Sequence, residues 1–499
     1  MDDSEAATAD HVENSLITDS PPQPARRAAG VGDITAKARM TALVVATALF
    51  MQNLDSTVVS TALPTMAHAF NVQPVRMNVA LTSYLLALAA FIPASGWMAD
   101  RFGARNVFRA AIAVFTVGSI ACGAANSLPE LVLARVLQGA GGAMMVPVGR
   151  LLLLRSIAKS EVVAAMAWLT MPALIGPLVG PPVGGFIVTW FSWRWVFDIN
   201  IPIGVLGIVL VSVFFEDKRE KLATRFDIAG FVFSAVAMAA TVFGLETIGR
   251  GMVAPQLPVA ALLLGVVAVG AYAWHARRAA APLLDLALFR MPTFLVSTFA
   301  GTLFRIGVGA VPFLLPMMLQ LGFGLSPLQS GLITLAGSAG ALVMKPVAVG
   351  LLRRTGFRTA LVWNGLLSTA SLALVGLFRP SWPLIAIYAV LLTGGFLRSL
   401  QFTAFNSLAY ADIPRDRMSA ATSLYSTIQH LSTTLGVSAG AAMLAVSMAM
   451  GGHAQPQLSD FTAGFLGVSF VMLLASPAAL MMPHAAGAEM TGHQAESED

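Results

Sequence analysis

The chain has 499 residues, of which 57% are hydrophobic and only 11% charged, with a formal charge of +5. Soluble domains carry about 25% charged residues, and a soluble monomer this apolar would expose patches far beyond the few hundred Å² that water tolerates. The composition excludes an ordinary soluble protein, and basic residues scattered among loops do not form a nucleic-acid surface.

Residues 1–36 are polar, contain no apolar core, and read as a disordered cytosolic tail; 484–499 read the same way. Between them the long apolar runs predict helices rather than barrel strands, which would alternate over about 10 residues. In chain order the expected spans are 40–64, 79–98, 107–126, 130–149, 163–187, 199–215, 228–247, 257–275, 293–319, 328–351, 359–378, 383–408, 418–448 and 461–483. A break or tilt is expected in the fifth, rich in Gly and Pro, and in the long thirteenth. With the N-terminus inside, most of the 30 Lys and Arg residues, Arg150 among them, fall in cytosolic loops, leaving Arg76, Arg194, Arg250 and Arg379 outside. This bias requires an even number of spans and puts both termini in the cytosol. Cys122, the one cysteine, reads as an inert buried thiol.

A weak internal repeat joins DRFGAR (100–105), after the second span, to RRTGFR (353–358), after the tenth. It divides the chain into a six-helix bundle at 37–216, two inserted spans within 217–290 and a second six-helix bundle at 291–483. Parallel halves of this kind hold a solute near mid-membrane, at their interface.

Several strings carry chemistry. In GWMADRFGAR (96–105), an acid at a helix end precedes a Gly turn and two Arg. Gly96, Asp100, Arg101, Gly103 and Arg105 read as a conformational latch, with Asp100 paired to a cation or helix N-terminus, or else as a charged turn fixing topology. RVLQGAGGAMM (135–145) puts Arg135 and Gln138 inside an apolar span, where a charge faces a cavity or a partner, or snorkels to the interface. Asp55, in LDSTVVSTALP (54–64), is the one acid placed deep in a span, and burial there favours its neutral form. It reads as a coupling residue or as a structural acid paired to Arg135. GPLVGPPVGG (176–185) supplies Gly176, Pro177, Gly180, Pro181, Gly184 and Gly185 for a bent or tightly packed helix. Arg305, Lys345, Arg398, Gln401, Asn406, Gln429 and His430 are the polar candidates for a solute cavity in the second half. They predict a net positive wall that favours anionic or amphiphilic solutes; Lys345 is close enough to the cytosolic interface to snorkel instead.

These strings, in this order and topology, resemble the major facilitator superfamily, specifically its 14-span drug:proton antiporter branch. The resemblance includes WRWVFDINIPIG (193–204) and covers about residues 40–480. It implies two six-helix bundles plus two central helices, alternating access driven by a proton gradient with no cofactor or metal, and export. Asp55, Arg135 and Gln138 would couple protons, the 96–105 loop would latch, and the 176–185 stretch would act as antiporter hinge and seal. The implied partners are the bilayer of a bacterial inner membrane, protons and a small solute; recruitment of a periplasmic adaptor stays open. Uptake, or transport of one specific organic anion, is the alternative. An ATP-driven pump lacks its GxxxxGK[ST] loop. A hydrolase finds no HExxH and only GSAG (337–340) with the distant His430. A non-transporting sensor is the remaining rival.

Overall fold

The computed structural model describes residues 34–72, 74–216, 225–248, 253–483 and 486–491. The expected tails lie largely outside these residues, as do the loop cations Arg26, Arg27, Lys218, Arg219, Lys221 and Arg250. Fourteen helices are long and apolar enough to cross a membrane: α1 (Ala36–Ala69), α2 (Arg76–Phe102), α3 (Ala104–Ala124), α4 (Leu128–Ser156), α5 (Lys159–Trp190), α6 (Trp195–Phe214), α7 (Ile228–Thr247), α8 (Gln256–Ala276), α9 (Pro292–Gly322), α10 (Leu328–Thr355), α11 (Phe357–Gly376), α12 (Leu384–Leu408), α13 (Arg415–Gly451) and α14 (Leu458–Leu480). Every expected span has its helix.

Local chemistry sets the ends. The Thr35 hydroxyl accepts from the Ala38 N–H to cap α1, Ser127 caps α4, and Ser326 with Gln329 forms a reciprocal box before α10. The two repeat loops turn alike: Gly103 (φ 84°) and Gly356 (φ 70°) both take the positive φ that disfavours any residue with a Cβ. Of the break or tilt expected in the fifth and thirteenth spans, no break is present. α5 runs unbroken over Val162–Trp190 and α13 over Met418–Gly451. Instead α2 tightens to a 3₁₀ turn at Ile92–Ala94, around Pro93. α9 is interrupted after Gly309 and widens to a π turn at Met318–Gly322, next to Pro316. A proline removes an N–H and crowds the preceding turn, and a π turn accommodates the mismatch.

Helices α1–α6 pack on one another, and α9–α14 do the same. α5 crosses to α10 and α12, and α13 crosses to α2 and α4. α7 lies against both α2 and α13, across one seam between the halves, and α8 packs on α7. The face of α8 carrying Leu263, Val266 and Val267 is exposed, which in hydrocarbon costs nothing. Near the described chain ends, the Thr35 N–H donates to Glu161 Oε1 (3.0 Å) and Lys159 pairs with Glu489 (3.1 Å). Both ends therefore share one face with the α4–α5 loop, here termed the basic end. Part of the tail expected to be disordered from 484 is folded: Ala488–Thr491 is a helical turn, entered through Gly487 at φ 72°. Its Met490 is buried, and that apolar contact is what the composition of the tail concealed.

Candidate functional site

The first half encloses a charge. Asp55 on α1 is fully buried. Its Oδ2 is 2.8 Å from Arg135 Nη1 on α4, and its Oδ1 accepts from Gln138 Nε2 (2.9 Å) and from Asn200 Nδ2 of α6 (2.9 Å). Ser119 on α3 accepts from both amides, at 2.7 Å from Gln138 and 3.2 Å from Asn200. Arg135 also donates from Nε to the Ala80 carbonyl of α2 (3.2 Å), and its guanidinium lies 4.4 Å from the Tyr84 ring centroid. Five helices thus converge on one carboxylate. The approach depends on small residues: a Cβ on Gly118 would lie 2.7 Å from the Gln138 backbone. At 1.5 Å per residue, Asp55 is about 28 Å along α1 from the basic end.

An ion pair taken fully out of water is held only by good geometry and further hydrogen bonds; this one has them on the carboxylate and on Arg135 Nε and Nη1, while Arg135 Nη2 has no partner among the described residues. The expected pairing of Asp55 with Arg135 is present and Gln138 bonds both. Tyr84, Ser119 and Asn200 were not expected. Asn200 stood in the quoted 193–204 string as a rare amide in an apolar run, which was its only signal.

On the opposite face of α1 lies the glycine stretch. Cβ atoms on Gly176, Gly180 and Gly184 would lie 3.0 Å from Asn53 Cβ, 2.0 Å from Thr57 Oγ1 and 2.1 Å from Thr61 Oγ1. This four-residue spacing makes a seam that lets α5 approach the α1 backbone. Gly185 faces open space and Pro181 is exposed, so neither joins the seam. The Pro177 side chain lies outside the described ones.

The 96–105 loop bridges the halves. Asp100 Oδ1 is 3.2 Å from Arg155 Nη2, and its Oδ2 accepts from Ser419 Oγ in the first turn of α13 (2.5 Å). Ser423 Oγ donates to the Pro93 carbonyl (2.9 Å). A Cβ on Gly96 would lie 2.8 Å from the Ser419 carbonyl oxygen. Asp100 thus meets both a cation and a helix N-terminus, and the halves are closed at the basic end. Arg101 is exposed. Arg105 does not cross: it donates to the Ser212 carbonyl at the end of α6 (2.5 Å). Its latch role is corrected to a tie within the first half, where the last helical carbonyls attract a cation.

The second-half candidates separate into distinct groups. Arg305 donates from Nη2 to Asn406 Oδ1 (3.2 Å) and to the Tyr425 hydroxyl, which itself donates to Asn406 (3.1 Å). Lys345 Nζ donates to Thr403 Oγ1 (3.1 Å) and is buried, so it does not snorkel. Arg398 is 9% exposed, and its Nη1 has no partner among the described residues. The same holds for His430 Nε2. Gln401 is not a cavity residue: it ties α12 to α11, donating to the Leu361 carbonyl and accepting from Asn364, each at 2.8 Å. Gln429 accepts from Arg150 Nη2 (3.2 Å). Arg150, expected in a loop, sits inside α4 at 5% exposure and also donates to the Tyr410 hydroxyl (3.1 Å). Arg150 interrupts the apolar run, between VPVG and the four leucines 151–154, and the helix continues past it to Ser156 where the expected span ended at 149.

A family model, the Major Facilitator Superfamily, matches residues 45–437. The chain belongs to the major facilitator superfamily. Similar relatives include the putative multidrug resistance protein MdtD of Pectobacterium atrosepticum, 40% identical over 445 residues that cover 87% of this chain and 93% of that one. MdtD of Yersinia enterocolitica is 41% identical over 411 residues, 81% of this chain and 86% of that protein. The fold matches that of the human organic anion transporter MFSD10 (TM-score 0.64, 14% identity, 89% of this chain and 99% of that one). It equally matches the proton:xylose symporter XylE (TM-score 0.64, 14% identity, 91% and 97%). As a member of this superfamily the chain is a multi-pass membrane transporter rather than an enzyme. Among the described residues no group of three or more His, Cys, Asp or Glu is placed to hold a metal.

Proposed function

We propose that this transporter exports small amphiphilic, drug-like molecules across the bacterial inner membrane in exchange for protons, with both termini cytosolic. The observation that carries the reading is the buried Asp55–Arg135 pair with Gln138 and Asn200 bonded to its carboxylate, both amides in turn donating to Ser119. In an alternating-access cycle, a proton arriving at Asp55 releases Arg135, Gln138 and Asn200 together and changes how α1 packs on α4 and α6. The basic-end contacts of Gly96, Asp100 and Ser419 are the element to be opened, since they exist only while the halves are closed there. The proton supplies the energy and no cofactor enters.

Export is favoured over uptake because the relatives at 40–41% identity are named for multidrug resistance. The Gly176–Gly180–Gly184 seam brings α5 against the helix that bears Asp55 and would couple their movements in either direction of transport.

The test is an export screen in cells stripped of their other pumps, comparing the wild type with Asp55→Asn. The Asn side chain keeps the shape but cannot titrate. Wild-type cells should extrude solute and tolerate higher drug concentrations, and the variant should lose both while inserting at equal level. Equal export by the two rejects proton coupling through Asp55.

A further inference from the structure

A second charged site lies between the halves, nearer the basic end, and the proton switch does not use it. Arg305 of α9 and Arg150 of α4 approach one tyrosine. Their guanidinium carbons lie 4.9 Å and 5.7 Å from the Tyr425 ring centroid. Arg150 is also 6.0 Å from the Tyr410 ring, which packs against Tyr425 at 5.6 Å. By helical rise, Arg305 is about 20 Å and Arg150 about 9 Å from the basic end. The Asp55 centre is about 10–20 Å deeper.

The charge balance here is unusual. Arg150 and Arg305 are 5% and 1% exposed, yet neither forms an ion pair among the described residues. Each bonds only neutral groups: Tyr410 and Gln429 for Arg150, Asn406 and Tyr425 for Arg305. Three donors remain over, namely Arg150 Nε, Arg305 Nε and Arg305 Nη1, all buried and without an acceptor among the described residues. The second half contributes no remedy. Its only acids are Asp412, Asp416 and Asp460. Asp412 accepts from Thr293, Asp416 is exposed in the first turn of α13, and Asp460 is engaged by His453 and Ser447 at the far end of α13. Lys345 and Arg398 add further cations without carboxylate partners. Buried charge of one sign without a counter-ion is expensive, and intramembrane cations retained at that cost mark a ligand path. Each leftover guanidinium N–H offers one charge-assisted hydrogen bond of the kind a carboxylate oxygen accepts, from Arg150 Nε on one side and from Arg305 Nε or Nη1 on the other.

We infer that Arg305, Asn406 and Tyr425 of the second half, joined by Arg150 of the first, bind the carboxylate of an anionic solute. The aromatic faces of Tyr410 and Tyr425 take the apolar part beside it. The site is shut here, since the Arg150–Gln429 and Asp100–Ser419 contacts close the basic end. Opening that end parts α4 from α13 and presents Arg150 and Arg305 to the entering solute. The inference names the solute class of the transporter proposed above, and rests on that reading for the direction of movement.

Two dyes on one xanthene frame provide the test: carboxyfluorescein, an anion, and rhodamine 123, a cation. Binding of each to the full chain in detergent is followed by fluorescence polarisation at equilibrium, with no gradient. The expected result is tighter binding of carboxyfluorescein, displaced by benzoate. Arg305→Gln and Arg150→Gln should each weaken it about tenfold or more, because a charged hydrogen bond is lost. Rhodamine binding should hold, and Arg305→Lys should weaken the anion less than Arg305→Gln. The wild-type preference and its displacement need no variant, so a variant that fails to fold does not blunt the test. Preference for the cation, no binding of the anion, or equal loss of both dyes overturns the proposal. A chain that binds the anion but ignores a pH gradient would contradict the proton-coupled reading while leaving this site standing.

Discussion

The closure at the basic end rests on one glycine. A Cβ on Gly96 would lie 2.8 Å from the Ser419 carbonyl oxygen, 3.1 Å from its carbonyl carbon and 3.2 Å from Ser423 Cβ. The first two are backbone atoms of α13, so no rotamer change relieves them. In Gly96→Ala the halves must part by a few tenths of an ångström, and in Gly96→Val by more. Overpacking costs about 1–3 kcal/mol. That cost falls only on the closed state, because the open state has no α2–α13 contact there. The ratio of closed to open molecules should drop by about 5- to 150-fold. Spin labels at Arg101→Cys and Arg415→Cys, exposed positions on either side of the seam, with Cys122→Ser, report the change by pulsed electron resonance. The Gly96→Val chain should gain a longer-distance population, and Gly96→Ala a smaller one. Identical distance distributions in all three chains would refute the view that this contact holds the halves shut.

Other substitutions separate the roles assigned above. Gly180→Val should lower the melting temperature of the solubilised protein because Thr57 Oγ1 occupies its Cβ position, whereas Gly185→Ala, facing open space, should leave it unchanged. Arg135→Ala strands a buried carboxylate and should destabilise by about 3–5 kcal/mol. Pairing it with Asp55→Asn should recover part of that loss, read as a double-mutant cycle of melting midpoints. Gln401→Leu leaves Asn364 with only the Leu397 carbonyl as acceptor and one buried N–H unmet, and should cost about 1–3 kcal/mol in stability. Dye affinity should be retained, since Gln401 faces α11 rather than the solute.

Much of this architecture was legible because lipid imposes a strong rule. Every backbone bond must close within a helix, so fourteen apolar runs gave fourteen helices with ends off by a few residues. Proline effects were less legible. Pro93 and Pro316 accompany the breaks in α2 and α9, while the denser prolines of α5 sit in a continuous helix, because packing decides whether a missing N–H becomes a kink. Of the charged residues, Asp55, Arg135 and Asp100 stand out in the sequence since each interrupts an apolar run or ends a helix. Arg150 interrupts an apolar run too, but it lies within two turns of the helix end, and a span cut at residue 149 left it, with the four leucines after it, in the loop. Gln401 was misassigned for the converse reason: an amide in an apolar helix signals a hydrogen bond, and the sequence does not give the direction. Gln401 and Asn406 are five residues apart and so point to different neighbours, α11 for one and α9 for the other.

The central claim is that protonation of Asp55 drives the cycle. Its most direct measurement is proton release into the lumen of proteoliposomes carrying a pH-sensitive dye, on addition of a transported solute under an imposed pH gradient. Wild-type chains should move protons only when solute is present, and Asp55→Asn chains should move none while still exchanging solute down its own gradient. Solute-driven proton movement of equal rate in the Asp55→Asn protein would contradict the account.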